Sequence, residues 1–97
     1  MFVSAASIWE IEIKRALNKL ETFDGAVDTI QLVEDSGFER LAISYEHARE
    51  AGRLPLIHGD PFDRMLIAQA RLEGLTLVSA DKRIKRYEVP VLDLATI

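Results

Sequence analysis

Apolar residues alternate along the chain between helical spacing and short, nearly continuous runs, so the sequence predicts strands and helices in turn. Phe2 to Ala6 forms a short β-compatible run ending at Ser7, and a helix follows whose stripe is Trp9, Ile13, Ala16, Leu17 and Leu20, widened by Ile8 and Ile11. Trp9 is assigned to the core, and Lys14, Arg15, Asn18 and Lys19 to the wetter side. Ser7 and Glu10 have the Ser-x-x-Glu spacing of a capping box, so the helix is expected to begin at Ser7. Thr22-Phe23-Asp24-Gly25 reads as a break. Ala26, Val27 and Ile30, with Val33 or Glu34, then mark a weaker helix closed by Gly37. Phe38 to Ser44 is a strand by its alternation. Ser44-Tyr45-Glu46-His47 opens a helix that Gly52 ends, with His47 on its surface.

Arg53 to Ile57 leads in extended form to the most clearly written helix of the chain. Asp60 is its N-cap, Pro61 its first residue and Asp63 a first-turn acid, while Phe62, Leu66, Ile67, Ala70 and Leu72 continue its apolar face until Gly74. Leu75 to Ser79 has the short apolar character of a strand buried on both faces. Lys82 to Tyr87 fits one or two helical turns. Val89 to Leu94 is a last strand, placed by Pro90 at an edge or at its own start. Strands alternating with helices define an α/β fold around a short parallel sheet, with right-handed crossovers.

Length adds that this is one small domain, residues 1–97, and 48% hydrophobic with 29% charged residues makes it globular. The chain has no cysteine, which excludes disulfides, thiolate metal sites and a cysteine nucleophile. No apolar run approaches the roughly 18 residues of a membrane span, and no signal-peptide layout is present, so the expected location is the cytoplasm, away from membranes. A net charge of −4 argues against binding nucleic acid through bulk electrostatics. The local cluster Lys82, Arg83, Lys85 and Arg86 fits either a basic contact surface or a solvated helix face.

Chemistry in such a sheet collects where strands hand over to helix N-termini, and Glu10, Asp63 and Asp81 each fall at such a point. Each has a plainer reading as a cap or a first-turn acid, the latter complementing the helix dipole by roughly 0.3–1 kcal/mol. If the three converge, their mutual repulsion calls for a cation, and oxygen-only donors select Mg²⁺ or Mn²⁺, ions that promote phosphoryl chemistry.

Three segments together carry a resemblance: Ser4-Ala5-Ala6-Ser7-Ile8-Trp9-Glu10-Ile11, Asp60-Pro61-Phe62-Asp63-Arg64-Met65-Leu66-Ile67-Ala68, and Leu77-Val78-Ser79-Ala80-Asp81. In this order they resemble the PIN-domain ribonucleases, specifically the VapC-type toxins of bacterial toxin–antitoxin pairs, and the resemblance spans essentially the whole chain. It implies a PIN-like three-layer fold and a Mg²⁺- or Mn²⁺-dependent endoribonuclease with an acidic pocket, usually dimeric and held inactive by a partner antitoxin. It makes Glu10, Asp63 and Asp81 metal-site acids and gives Ser79 the family's Ser/Thr place beside Asp81. Asp60 stays a cap. His58 and Arg64 flank this site, as phosphate contacts or as an ordinary loop histidine and a surface salt bridge.

The chain departs from the family pattern at its start, where a strand bearing the first metal-site aspartate and a helical segment normally precede the strand at Phe2. Such a domain is expected to close the gap with another copy, a companion segment or its own strands, and to have weak or absent ribonuclease activity. Two further classes are compatible with the residues. One is a non-catalytic module that binds the antitoxin, and the other is a different Mg²⁺-dependent phosphohydrolase. Neither a P-loop nor a Gly-x-Gly-x-x-Gly stretch is present, which argues against nucleotide-binding enzymes of those types.

Overall fold

A computed structural model of the chain describes residues 1–17, 28–79, 87 and 91–93. Within them the elements run β1 (Phe2–Ser4), α1 (Ala5–Ala16), α2 (Thr29–Asp35), β2 (Glu39–Leu41), α3 (Tyr45–Arg53), α4 (Pro61–Glu73), β3 (Leu77–Ser79) and β4 (Val91–Asp93). The fold is mixed α/β with parallel strand pairing, as expected from the alternation of elements. The chain divides into two compact units, Met1–Ala42 and Ile43–Ile97.

In the first unit β1 pairs in parallel with β2, Val3 opposite Arg40. Helix α1 starts earlier than the capping-box spacing implies. Ser4 is the N-cap, its hydroxyl accepting from the Ala6 N–H at 3.0 Å, so Ser7 lies inside the helix and the Ser7–Glu10 box does not form. The strand correspondingly stops at Ser4 instead of reaching Ser7. The core assignment of Trp9 is also corrected, because it is 62% exposed, with Ile13 and Leu17 on the outside beside it. The physical reason is the partner that α1 meets. Ile8, Glu12 and Arg15 share one face. Thr29 at the start of α2 is buried between the two charged groups, donating to Glu12 and accepting from Arg15 at 3.1 Å. This polar cluster turns a mixed face inward and leaves the more apolar one outside.

Asp28 caps α2 through the N–H groups of Ile30 and Gln31, and Gly37 after it adopts φ 82°, the left-handed conformation that glycine takes without strain. A cavity of about 280 Å³ lies in this unit, lined chiefly by Val3, Ile8, Ile30, Val33 and Leu41. The break at Thr22–Gly25 lies outside the described residues, as do Ala26 and Val27.

The second unit is built on the packing of α3 against α4. Ala51, Leu54, Ile67, Ala68 and Tyr87 form its buried core, with Ile57, Met65 and Leu77 packed against it. Helix α4 has the boundaries that its sequence announces. Asp60 accepts from the Phe62 and Asp63 N–H groups, Pro61 takes the first position, and Gly74 closes the helix at φ 66°. Ile67 and Ala70 are buried, as their spacing requires, while Leu72 is 48% exposed. Strand β3 pairs in parallel with β4, which begins immediately after Pro90. Tyr87 is buried, and the rest of the segment Lys82–Tyr87 lies outside the described residues.

Helix α3 starts at the expected cap, Ser44, but continues through Gly52 to Arg53. His47 is not a surface residue: it is 3% exposed. It occupies the third position of a reciprocal capping box, its Nδ1 accepting from the Ser44 N–H at 3.0 Å while Ser44 Oγ accepts from the His47 N–H at 3.1 Å. Its Nε2 donates to Glu73 of α4 at 2.7 Å, so one imidazole caps α3 and ties it to α4. The expected extended lead-in at Arg53–Ile57 is instead the end of α3 followed by a turn, in which the Ile57 N–H bonds to Pro55 O at 2.9 Å.

The corrected start of α1 gives a direct test. Ser4→Ala is expected to cost about 1 kcal/mol by removing the cap, whereas Ser7→Ala should stay within about 0.5 kcal/mol, both read by urea denaturation.

Candidate active site

Asp63 stands at the third position of α4, carried there by the Asp60-Pro61 start. Its side chain is 28% exposed. One carboxylate oxygen, Oδ2, lies 2.7 Å from Nε2 of His58, and among the described residues the other oxygen receives no hydrogen bond. An ionised carboxylate only accepts, so the His58 nitrogen donates. The second ring nitrogen, Nδ1, accepts from the Asp60 N–H at 3.3 Å, and the neutral imidazole protonated at Nε2 satisfies both bonds.

His58 is therefore no ordinary loop histidine. It is 3% exposed, its backbone N–H donates to the Tyr87 hydroxyl at 2.9 Å, and its carbonyl accepts from Arg64 at 3.3 Å. Nor is Arg64 a surface ion-pair residue. Its Nη2 donates to the carbonyls of Ala51 and Leu54, both at 2.9 Å, and its Nη1 to those of Pro55 at 3.0 Å and His58. Ala51 O is one of the carbonyls that the end of α3 leaves without an intrahelical partner, and a cation there also suits the negative pole of the helix. Tyr87 completes the loop from the core side, its hydroxyl donating to Pro55 O at 2.7 Å. Sequence reading thus placed His58 and Arg64 beside the site but not as supports of Asp63, and it missed Tyr87. His58 offered a signal, a histidine two residues before the cap with an acid five residues on. Tyr87 offered none.

Glu10 belongs to the first unit. It lies in the second turn of α1, neither a cap nor a first-turn acid, and it pairs with Lys14 one turn on at 3.9 Å. The earlier helix start thus removes the plainer, capping role for this carboxylate. Ser79 is the last residue of β3. Asp81 and the basic cluster Lys82, Arg83, Lys85 and Arg86 lie outside the described residues. With two of the three candidate acids described, one in each unit, the described residues contain no group of three metal-ligating side chains. Each of the two described acids, taken in its own unit, has donor chemistry that suits a hard divalent cation. Asp63 and Glu10 offer partly exposed carboxylate oxygens in a chain without thiols.

Residues 1–90 match the PIN domain family, and the chain belongs to that family. Its domains are generally metal-dependent nucleases. No curated protein and no solved structure matches the chain. Among the described residues no helix is long and apolar enough to cross a membrane.

Because one planar cation serves four carbonyls, Arg64→Lys should not be conservative. A single ammonium cannot reach all four, and the loss is expected to be about 2–3 kcal/mol by urea denaturation. Arg71→Lys, at an outer pair with Glu50 3.5 Å away, should change stability by less than about 1 kcal/mol.

Proposed function

We propose that this PIN domain is a Mg²⁺- or Mn²⁺-dependent endoribonuclease, acting as the toxin of a toxin–antitoxin pair. The observation that carries the metal-site reading is Asp63, a carboxylate fixed at the start of α4 with one oxygen bonded to His58 and the other left open among the described residues. Glu10, Asp63 and Asp81 would hold the cation, and Ser79 would take the family's Ser/Thr place next to Asp81 in the sequence. Held there, a divalent cation would supply Lewis-acid stabilisation of negative charge on a phosphate. The RNA substrate, the cognate antitoxin and self-association are part of the same reading. Support for a protein partner comes from Trp9, Ile13 and Leu17, an apolar stripe on α1 whose members are 62%, 36% and 63% exposed.

The test is RNA cleavage by the full chain in Mn²⁺, with and without a chelator. Any cleavage, weak as it is expected to be, should require the metal. Asp63→Asn should lower it by about 100-fold or more while costing at most about 1 kcal/mol, since the amide oxygen still accepts from His58 and only the charge at the helix start is lost. Chelator-insensitive cleavage overturns the metal reading. A folded chain that binds a partner protein yet cleaves no RNA in Mn²⁺ is instead a non-catalytic binding module.

A further inference from the structure

Resting on the reading of Asp63 as a metal ligand, we infer that His58 is a positioning residue for it: the Nε2–H fixes Oδ2 of Asp63 and so sets the direction in which Oδ1 meets a divalent cation. The residue is immobilised at every polar atom it has. Its backbone N–H is held by Tyr87, its carbonyl by Arg64, its Nδ1 by the Asp60 N–H and its Nε2 by Asp63 itself. Two of these partners, Tyr87 and Arg64, also bind the carbonyl of Pro55, so the imidazole is braced by the same network that shapes the loop before α4. The acid it touches is the less buried member of the pair, 28% exposed against 3% for the histidine side chain. A carboxylate on a helix can rotate about its own bonds, and a donor on one oxygen removes that freedom. Orienting bonds of this kind to metal ligands are commonly worth roughly 10- to 100-fold in metal affinity.

A purely structural alternative has the histidine stapling the loop to the helix with no bearing on the ligand. The two ring nitrogens separate these roles, because asparagine places its amide near the Nδ1 position and glutamine near the Nε2 position. His58→Asn keeps the acceptor for Asp60 and loses the donor to Asp63, whereas His58→Gln keeps that donor and loses the acceptor. Each variant, with Asp63→Asn and the unaltered chain, is titrated calorimetrically with Mn²⁺ alone at one pH, and its stability is measured in urea.

His58→Gln is expected to bind within about threefold of the unaltered chain, and His58→Asn roughly 10- to 100-fold more weakly, at comparable losses of stability. Equal Mn²⁺ affinity in the two His58 variants overturns the positioning role, and if Asp63→Asn has meanwhile lost affinity, the ligand reading stands without it. Unchanged affinity in Asp63→Asn overturns the ligand reading and this inference together. A second measurement needs neither variant nor metal. The ¹⁵N spectrum of the His58 ring in the metal-free chain should show the proton on Nε2, and a proton on Nδ1 alone overturns the inference.

Discussion

The second unit depends on satisfying main-chain oxygens where no ladder reaches them. Between the end of α3 and the start of α4 the chain reverses through a turn, and its carbonyls have neither a helix nor a strand to pair with. Buried or half-buried oxygens in that state are costly, by about 1–3 kcal/mol each. Arg64 answers four of them with one guanidinium, projecting from the helix that the loop leads into. Tyr87 supports the same turn from the core, where it belongs to one buried cluster with Leu54 and Ile67. The position of His58, and through it the orientation of Asp63, follows from those two grips.

Helix α4 is tied at both ends by the same device. At its start Asp63 meets the buried His58, and in its last turn Glu73 meets the buried His47, each at 2.7 Å. Both imidazoles use Nδ1 to accept a main-chain N–H and Nε2 to reach a carboxylate on α4. The helix is thereby fastened by groups outside it, while Ile67, Ala68 and Ala70 along its buried face supply the apolar contact. One end of this arrangement caps a neighbouring helix, and the other presents a carboxylate beside a partly open surface.

What the sequence made legible was local. The Asp60-Pro61 start and the Gly74 stop of α4 are written in residues whose own backbone preferences decide the outcome. The start of α1 was misplaced because Ser4 and Ser7 are both good caps, and the Glu10 spacing favoured the wrong one. Periodicity found the apolar stripe of α1 but not the side it faces, because the Glu12–Thr29–Arg15 cluster is assembled from residues far apart in the chain. The same holds for His47, whose buried imidazole is specified by a carboxylate on another segment, since nothing near it announces Glu73, whereas His58 has its carboxylate five residues on. The role of Arg64 was not legible, since its partners are carbonyls, which every residue carries. For the candidate site, the place of Asp63 could be read from its helix start, whereas the supporting roles of Arg64 and Tyr87 could not.

The grip on the loop through its backbone separates shape from side-chain identity. Arg64 and Tyr87 hold oxygens that stay in place whichever residues stand at those positions, and Leu56, between two of the gripped segments, is 93% exposed. Its side chain can be exchanged while the turn, and the acid that follows it, keep their geometry. The outer surface of this loop is thus a position where the chain can vary what it presents to its surroundings, with the hydrogen-bond network behind it left undisturbed.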